Sequence, residues 1–204
     1  MHTEIFNKNQ IEIIEHLKMF NRNFYLVGGT AIALYIGHRR SIDFDFFSYK
    51  PIIKHQLKKK LLKIPFQQIP IFEDVDQLHL LINSVKITFF YYPYPVNHSI
   101  KNDSIFSIPS LLSLAAMKAF ALGRRAKWKD YVDLYFILKN HYSIEEISNE
   151  CEKIFGNQYS EKLFRQQLAF HNDIDFSESV DFLTGPISEN EIKEFLIEEA
   201  IRFL

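Results

Sequence analysis

Two aspartates separated by one residue, Asp43 and Asp45, have the clearest chemical potential in this sequence. They lie in the run Ile-Asp-Phe-Asp-Phe-Phe (42–47), which alternates as a strand does, so both carboxylates are predicted to project from one face. Two like charges this close resist ionisation unless a cation compensates them. Mg²⁺ is the usual ion, because it takes oxygen ligands and bridges to phosphates. The pair predicts a metal site, although Asp-x-Asp alone is also common on surface strands.

A glycine pair followed by a threonine stands thirteen to fifteen residues before the first of these aspartates. The β-rich run 24–27 ends at Gly28 and Gly29, and Thr30 is predicted to cap a helix over 31–36. Glycines at a strand-to-helix turn allow a ligand to approach the backbone, and the N–H groups that open a helix favour phosphate. The run Gly28-Gly29-Thr30 therefore predicts a phosphate-binding turn.

The two motifs are predicted to meet at one edge of a sheet, because a single helix joins their strands. There the glycine turn would hold the phosphate tail of a nucleoside triphosphate, and the carboxylates would hold a metal across it. Arg39, just before the aspartates, stands where the incoming phosphate charge would be. The combination is more specific than either motif alone.

The apolar pattern predicts an α/β (α+β) fold, with a small mixed sheet and flanking helices over 1–107 and a helical domain over 108–204 packed on that core. Predicted strands cover 24–27 and 42–47, together with a hairpin of 78–82 and 85–92. Predicted helices cover 5–20, 31–36, 51–62, 109–122, 128–138, 143–155, 160–170 and 188–204.

Composition limits the class of protein. Hydrophobic residues make up 47% of the chain and aromatic residues 15%, which excludes a disordered chain. The single cysteine, Cys151, excludes an internal disulfide and is predicted to be a small buried residue on a helix. We find no signal peptide and no run of about 18 apolar residues. These features predict a soluble, cytoplasmic protein with no membrane partner.

Charge is distributed unevenly along the chain. Residues 1–140 hold 19 basic and 11 acidic residues, whereas residues 141–204 hold 5 basic and 14 acidic residues. The basic portion suits a polyanionic ligand such as a nucleotide or RNA. Attraction between the two portions explains the asymmetry equally well.

The run Leu-Val-Gly-Gly-Thr-Ala-Ile-Ala-Leu-Tyr-Ile-Gly-His-Arg-Arg-Ser-Ile-Asp-Phe-Asp-Phe-Phe (26–47) resembles the AbiEii/AbiGii toxin family of nucleotidyltransferase-like proteins. A second block, comprising 116–121, Arg124 and 129–134, is similar to the helical motifs of that family. The resemblance implies a nucleotidyltransferase-type core and Mg²⁺-dependent use of a nucleoside triphosphate. It also implies a toxin role beside a cognate antitoxin protein.

The resemblance assigns roles in the helical block. Lys118 is similar to the lysine that contacts nucleotide phosphates, and Asp130 to the acidic residue that supports that lysine or the metal. A buried, unpaired lysine would be costly, so we expect Lys118 to line solvent or ligand. It would reach the triphosphate only if the helical part folded over the sheet edge.

The sequence departs from the wider nucleotidyltransferase pattern at one place. Active members usually carry a third carboxylate on a following strand, expected here over 85–90. That stretch presents Lys86 and Thr88 on one face. The alternative carboxylates Glu73, Asp74 and Asp76 come earlier, in a predicted loop.

Three functions are compatible with these features. The first is a Mg²⁺-dependent nucleotidyltransferase that moves a nucleoside monophosphate to an acceptor, with tRNA or another RNA as candidate. The second is a nucleotide-binding or interaction protein that kept the fold and lost catalysis. The third is modification of a small molecule, such as an aminoglycoside.

Overall fold

The computed structural model describes residues 1–100 and 104–202, and the chain divides into two compact units, Met1–Pro109 and Ser110–Leu204. The strands of the described residues belong to the first unit, and the second is built from helices. The predicted α/β class is confirmed, since the described residues form a five-stranded mixed sheet and eight α-helices. No helix within the described ranges is long and apolar enough to cross a membrane.

The main sheet has the strand order β1-β2-β5-β4-β3. Its strands are β1 (Tyr25–Val27), β2 (Phe44–Ser48), β3 (Gln68–Glu73), β4 (Gln77–Ile82) and β5 (Val85–Tyr91). Strands β2 and β5 pair in parallel, and the other neighbours are antiparallel. The predicted hairpin of β4 and β5 is confirmed. Its turn residues Asn83 and Ser84 have φ of 51° and 64°, as a two-residue hairpin turn requires.

The two faces of strand β2 differ in burial. Phe44 and Phe46 are fully buried, and Phe46 stacks on Phe89 of β5 with ring centroids 5.6 Å apart. Asp45 and Phe47 alternate with them and are half-buried. The alternation predicted from the sequence therefore holds, with the carboxylate on the face away from the aromatic core.

Three α-helices belong to the first unit: α1 (Lys8–Leu17), α2 (Gly28–Ile36) and α3 (Lys54–Leu61). The single helix predicted over 5–20 is wrong in extent, because α1 covers its middle and short 3-10 turns flank it. Asn7 sets the start of α1. Its side chain accepts the backbone N–H of Gln10, whose side chain accepts the N–H of Asn7 in return.

Strand β3 and a second small sheet were not predicted. Strand β3 contains Pro70, which lacks the N–H that a β-ladder needs, and its pairing with β4 shifts register between Pro70 and Phe72. Both features hide the strand in the sequence. The second sheet pairs β6 (His98–Ile100) with β7 (Ser107–Pro109). Strands this short show no readable alternation. Pro109, predicted to start a helix, ends β7 instead.

Serine caps begin four of the five helices in the second unit. The helices are α4 (Leu111–Leu122), α5 (Trp128–Asn140), α6 (Ile144–Phe155), α7 (Glu161–Ala169) and α8 (Glu189–Ile201). The capping serines, whose side chains each accept a backbone N–H three residues on, are Ser110, Ser143, Ser160 and Ser188. The last two positions of the helix predicted over 188–204 lie outside the described residues. Cys151 is fully buried on α6, as predicted.

Candidate active site

The chain passes directly from sheet to helix at the glycine pair. Strand β1 ends at Val27 and α2 begins at Gly28, whose φ is 71°. This left-handed conformation favours glycine. A Cβ built on Gly28 would lie 2.6 Å from Oδ2 of Asp45. The Asp45 carboxylate can therefore lie against the backbone of the turn only because Gly28 has no side chain.

The second glycine makes room for Arg39. A Cβ on Gly29 would overlap Nη2 of Arg39 and lie 3.3 Å from Oγ of Ser41. Arg39 is 2% exposed, and its Nη1 donates to the carbonyl oxygen of Arg40 at 3.0 Å. The structure thus shows a buried guanidinium packed against the turn. The contact of Arg39 with phosphate stays a prediction.

Thr30 connects the turn to the segment before the carboxylates. The prediction that it caps the helix is wrong, because α2 begins at Gly28 and Thr30 lies inside its first turn. Its side chain is buried, and its hydroxyl bonds to the carbonyl oxygen of Asp43 and lies 2.8 Å from Oγ of Ser41. Thr30 therefore fixes the backbone at Asp43. Its role in binding phosphate stays a prediction.

The N–H donors at the start of α2 and the carboxylates of Asp43 and Asp45 fit a metal-bound phosphate. The first N–H groups of an α-helix have no partner within the helix, so α2 offers donors at the turn. Asp43 directly precedes β2, Asp45 lies within it, and both are half-buried. In the part of the chain that the structure describes, no group of three or more His, Cys, Asp or Glu side chains is arranged to hold a metal. Two carboxylates suffice for Mg²⁺ when phosphates and water complete its shell.

A row of side chains crosses the sheet from Asp45. Asp45 pairs with Thr88 of β5, and Thr88 pairs with His79 of β4, so the three share one face. A hydroxyl therefore stands directly beside Asp45 on the strand where a third carboxylate was expected. His79 was not singled out from the sequence. The register of the predicted hairpin, which sets His79 opposite Thr88, was the available signal.

Burial influences the ring of His79. It lowers the pKa of His79 from the ordinary value of 6.5, and the charge of Lys86 acts in the same direction, whereas the charges of Asp45 and Asp74 oppose this shift. Nε2 of His79 lies 2.8 Å from Oε1 of Gln77. A neutral imidazole on the face of Asp45 can accept a proton near pH 7.

The carboxylates suggested as substitutes for a third ligand make local contacts. Glu73 lies at the end of β3 rather than in the predicted loop, 2.8 Å from Nζ of Lys58, and this hydrogen bond lowers the pKa of Glu73. Asp74 accepts the backbone N–H groups of Asp76 and Gln77 at 2.9 Å and 3.0 Å. Glu73 thus ties the end of β3 to α3, and Asp74 braces the connection from β3 to β4. A ligand role for Asp76 stays a prediction.

The helical unit contains a buried ionic cluster. Nζ of Lys118 on α4 contacts Asp130 and lies 2.9 Å from Oδ2 of Asp133, both on α5. Nε of Arg125 lies 3.0 Å from the other oxygen of Asp130. Lys118 is only 6% exposed, so it does not line solvent, and that it lines a ligand stays a prediction. Two carboxylates offset the cost of burying its ammonium group.

Replacing Gly28 by alanine tests the contact between the turn and Asp45. The variant combines a left-handed conformation, which costs about 1–2 kcal/mol, with a Cβ that displaces the Asp45 carboxylate. Gly156→Ala is the control, because φ is 54° there, which also favours glycine, and the new Cβ meets nothing within 4 Å. We expect both variants to lose stability in urea unfolding. Only Gly28→Ala should lose Mg²⁺-nucleotide affinity in calorimetry, and equal affinities in both would contradict the assigned contact.

The chain is similar to known nucleotidyltransferase proteins. A family model described as nucleotidyl transferase AbiEii toxin, type IV toxin–antitoxin system, matches residues 16–202. Protein aq_aa25 of Aquifex aeolicus (strain VF5) is 32% identical over 157 residues, covering 74% of this chain and 76% of that protein. The fold is shared with MenT4, a nucleotidyltransferase toxin of Mycobacterium tuberculosis (TM-score 0.63, 11% identity, 95% of this chain and 82% of that chain). It is also shared with JHP933 of Helicobacter pylori (TM-score 0.54, 17% identity, 95% and 88%).

Proposed function

We propose, because this chain belongs to the AbiEii family of nucleotidyltransferase toxins, that it transfers a nucleoside monophosphate from a nucleoside triphosphate to an acceptor in a Mg²⁺-dependent reaction. One observation carries the proposal. The Asp45 carboxylate lies against the backbone of Gly28, at the residue where α2 begins. A metal ligand and helix N–H donors therefore lie side by side, as a bound triphosphate requires.

The reaction forms one bond and breaks one. An acceptor hydroxyl oxygen bonds to the α-phosphorus, while the bond from that phosphorus to the bridging oxygen breaks and pyrophosphate leaves. Such a transfer depends mainly on positioning and charge neutralisation. When bound, Mg²⁺ would be held by Asp43 and Asp45 and would neutralise phosphate charge. The amides of Gly28, Gly29 and Thr30 would orient the phosphates.

The proton of the acceptor needs a base. Thr88 stands beside Asp45 in the ladder, and a hydroxyl is a poor base near neutral pH. His79, on the same face and with a pKa lowered by burial, is our candidate for accepting that proton. For Lys118 and Asp130, the sequence resemblance implies nucleotide binding and its support, which we retain as part of the proposal.

A second candidate is a nucleotide-binding protein without turnover. The observation that favours it is Thr88 at the position of the expected third carboxylate, since no acidic side chain stands beside Asp45 on β5. Both candidates predict binding of a triphosphate. They differ in whether pyrophosphate is released.

The family also guides the biological role that we propose. A toxin of a toxin–antitoxin system acts on a component of its own cell and is held in check by a cognate antitoxin protein. We propose cytoplasmic RNA, with tRNA as the leading candidate, as the acceptor. Transfer of a nucleotide to such an RNA would arrest growth.

The test is transfer of label from each α-labelled nucleoside triphosphate to total RNA. We expect one triphosphate to label an RNA band in the presence of Mg²⁺ and the label to vanish with EDTA. Pyrophosphate release measured in parallel covers protein and small hydroxylated acceptors. Triphosphate binding without pyrophosphate release from any acceptor would favour the second candidate.

A further inference from the structure

A cavity of about 370 Å³ opens in the first unit, away from the glycine turn. Its walls come from β1, the end of β2 and the start of α3, including Tyr25, Ser48 and Leu57. Tyr25 precedes by two residues Val27, which pairs with Asp45. At about 3.3 Å per residue, Tyr25 lies roughly 7 Å along the strand from Asp45, whereas Arg22 and Lys50, five residues from Val27 and Asp45, lie up to roughly 16 Å away. The larger distance spans more than one nucleotide of an extended strand.

The cavity is lined by three cationic side chains, and none of its lining residues is acidic. Arg22 and Lys50 are exposed, and neither side chain forms an ion pair or hydrogen bond within the described part of the chain. Nζ of Lys60 lies 3.4 Å from Oδ1 of Asn23, which is a neutral group. Lys58, by contrast, pairs with a carboxylate. The cations of the cavity are therefore free to attract an anion.

Tyr25, which also lines the cavity, carries a buried hydroxyl. Tyr25 is 1% exposed, and its hydroxyl has no hydrogen-bond partner among the described residues. Burial raises the pKa of Tyr25, so the group stays protonated and can only gain by donating. Its ring stacks on His98, with centroids 4.3 Å apart. A buried donor without a partner calls for an acceptor that the chain does not supply.

Aromatic surface completes the lining. Tyr49 is 55% exposed, whereas the ring of Phe24, another lining residue, packs on Phe89 of the core with centroids 5.0 Å apart. Cations combined with accessible aromatic rings are typical of sites that bind single-stranded nucleic acid, where phosphates meet cations and bases stack. An inorganic anion would use the cations and leave the aromatic surface without a contact.

We propose that this cavity binds a single-stranded RNA segment at a short distance along the strand from the nucleotide that reacts at Asp43 and Asp45. The inference rests on the proposed function, because it supplies the acceptor strand for that reaction. Arg22 and Lys50 contact phosphate, the Tyr25 hydroxyl donates to the RNA, and Tyr49 stacks on a base. The site thus selects extended RNA ends over folded duplexes.

The experiment measures binding of a fluorescent 12-nucleotide single-stranded RNA to the full chain without triphosphate. The variant Arg22→Ala/Lys50→Ala should raise Kd about tenfold near 0.1 M salt and reduce the slope of log Kd against log salt by about 1.4, at about 0.7 per phosphate contact. The control, Lys59→Ala/Lys63→Ala, removes two exposed lysines at α3 that are not in the cavity wall. Equal losses in both double variants would overturn the proposal.

Tyr25→Phe removes only the buried hydroxyl. We expect it to weaken RNA binding several-fold without lowering the melting temperature, since the hydroxyl has no partner within the described chain. Unchanged RNA affinity would show that the hydroxyl does not face the ligand and would overturn that assignment. Competition by inorganic phosphate or a free mononucleotide at RNA-like affinity would contradict binding of a strand. If label transfer fails while RNA binding is intact, the result counts against the proposed function and not against RNA binding in the cavity.

Discussion

Asp45→Asn is expected to lower the rate of nucleotidyl transfer roughly a thousandfold, which corresponds to about 4 kcal/mol of transition-state stabilisation from the metal site. Asparagine keeps the shape of the side chain and its fit against Gly28, but it removes the charge that a divalent cation needs. Asp43→Asn should behave in the same way. In calorimetry, each variant should lose Mg²⁺-dependent triphosphate binding while its melting temperature stays close to that of the wild type.

Asp173→Asn is the control for charge, because Asp173 is an exposed carboxylate of the second unit. We expect it to retain both binding and transfer. Unchanged Mg²⁺-nucleotide affinity in Asp45→Asn would remove the carboxylate pair from the site. Retained binding with lost pyrophosphate release would instead assign Asp45 to the chemical step alone.

Lys118→Met is expected to lower the free energy of unfolding by about 3–5 kcal/mol, since it leaves two buried carboxylates short of a positive charge. Asp133 is fully buried and Asp130 is 2% exposed, so water cannot replace the ammonium group without rearrangement. Arg125 remains beside Asp130, and about half of its side chain is exposed. Urea unfolding followed by circular dichroism measures the loss.

Lys162→Met is the control, because Lys162 is exposed on α7 and its replacement should change stability by at most about 0.5 kcal/mol. Asp133→Asn in the Lys118→Met background should restore part of the stability by removing one of the two charges. A loss below about 1 kcal/mol in Lys118→Met would show that the cluster is not held by this ion pair.

Nucleotide binding by Lys118 needs a separate measurement. Lys118→Arg keeps the charge and is the variant with which to compare affinities for triphosphate and nucleoside. If Lys118 contacts phosphate, the triphosphate should lose more affinity than the nucleoside. Equal losses for the two ligands would indicate a structural role alone.

Local chemistry in the sequence determined the elements that carry the site. Alternation in the run around Asp45 determined which side chains face the core, because strand geometry sends successive residues to opposite faces. Asn83-Ser84 determined the hairpin, since both residues adopt positive φ. Serine caps determined where the helices of the second unit begin. These signals depend only on neighbouring residues, so the elements can be predicted without knowledge of the fold.

The tertiary structure decided most partners of the charged and polar groups. The resemblance associated Lys118 with Asp130, but the burial of Lys118 and its contact with Asp133 became apparent only in the structure. The same holds for Thr30, whose hydroxyl binds the backbone at Asp43 rather than capping its helix. His79 joined the face of Asp45 only through a parallel pairing between β2 and β5. Such contacts depend on long-range packing, and the sequence by itself determines residue types and local geometry but not which distant group each charge will meet.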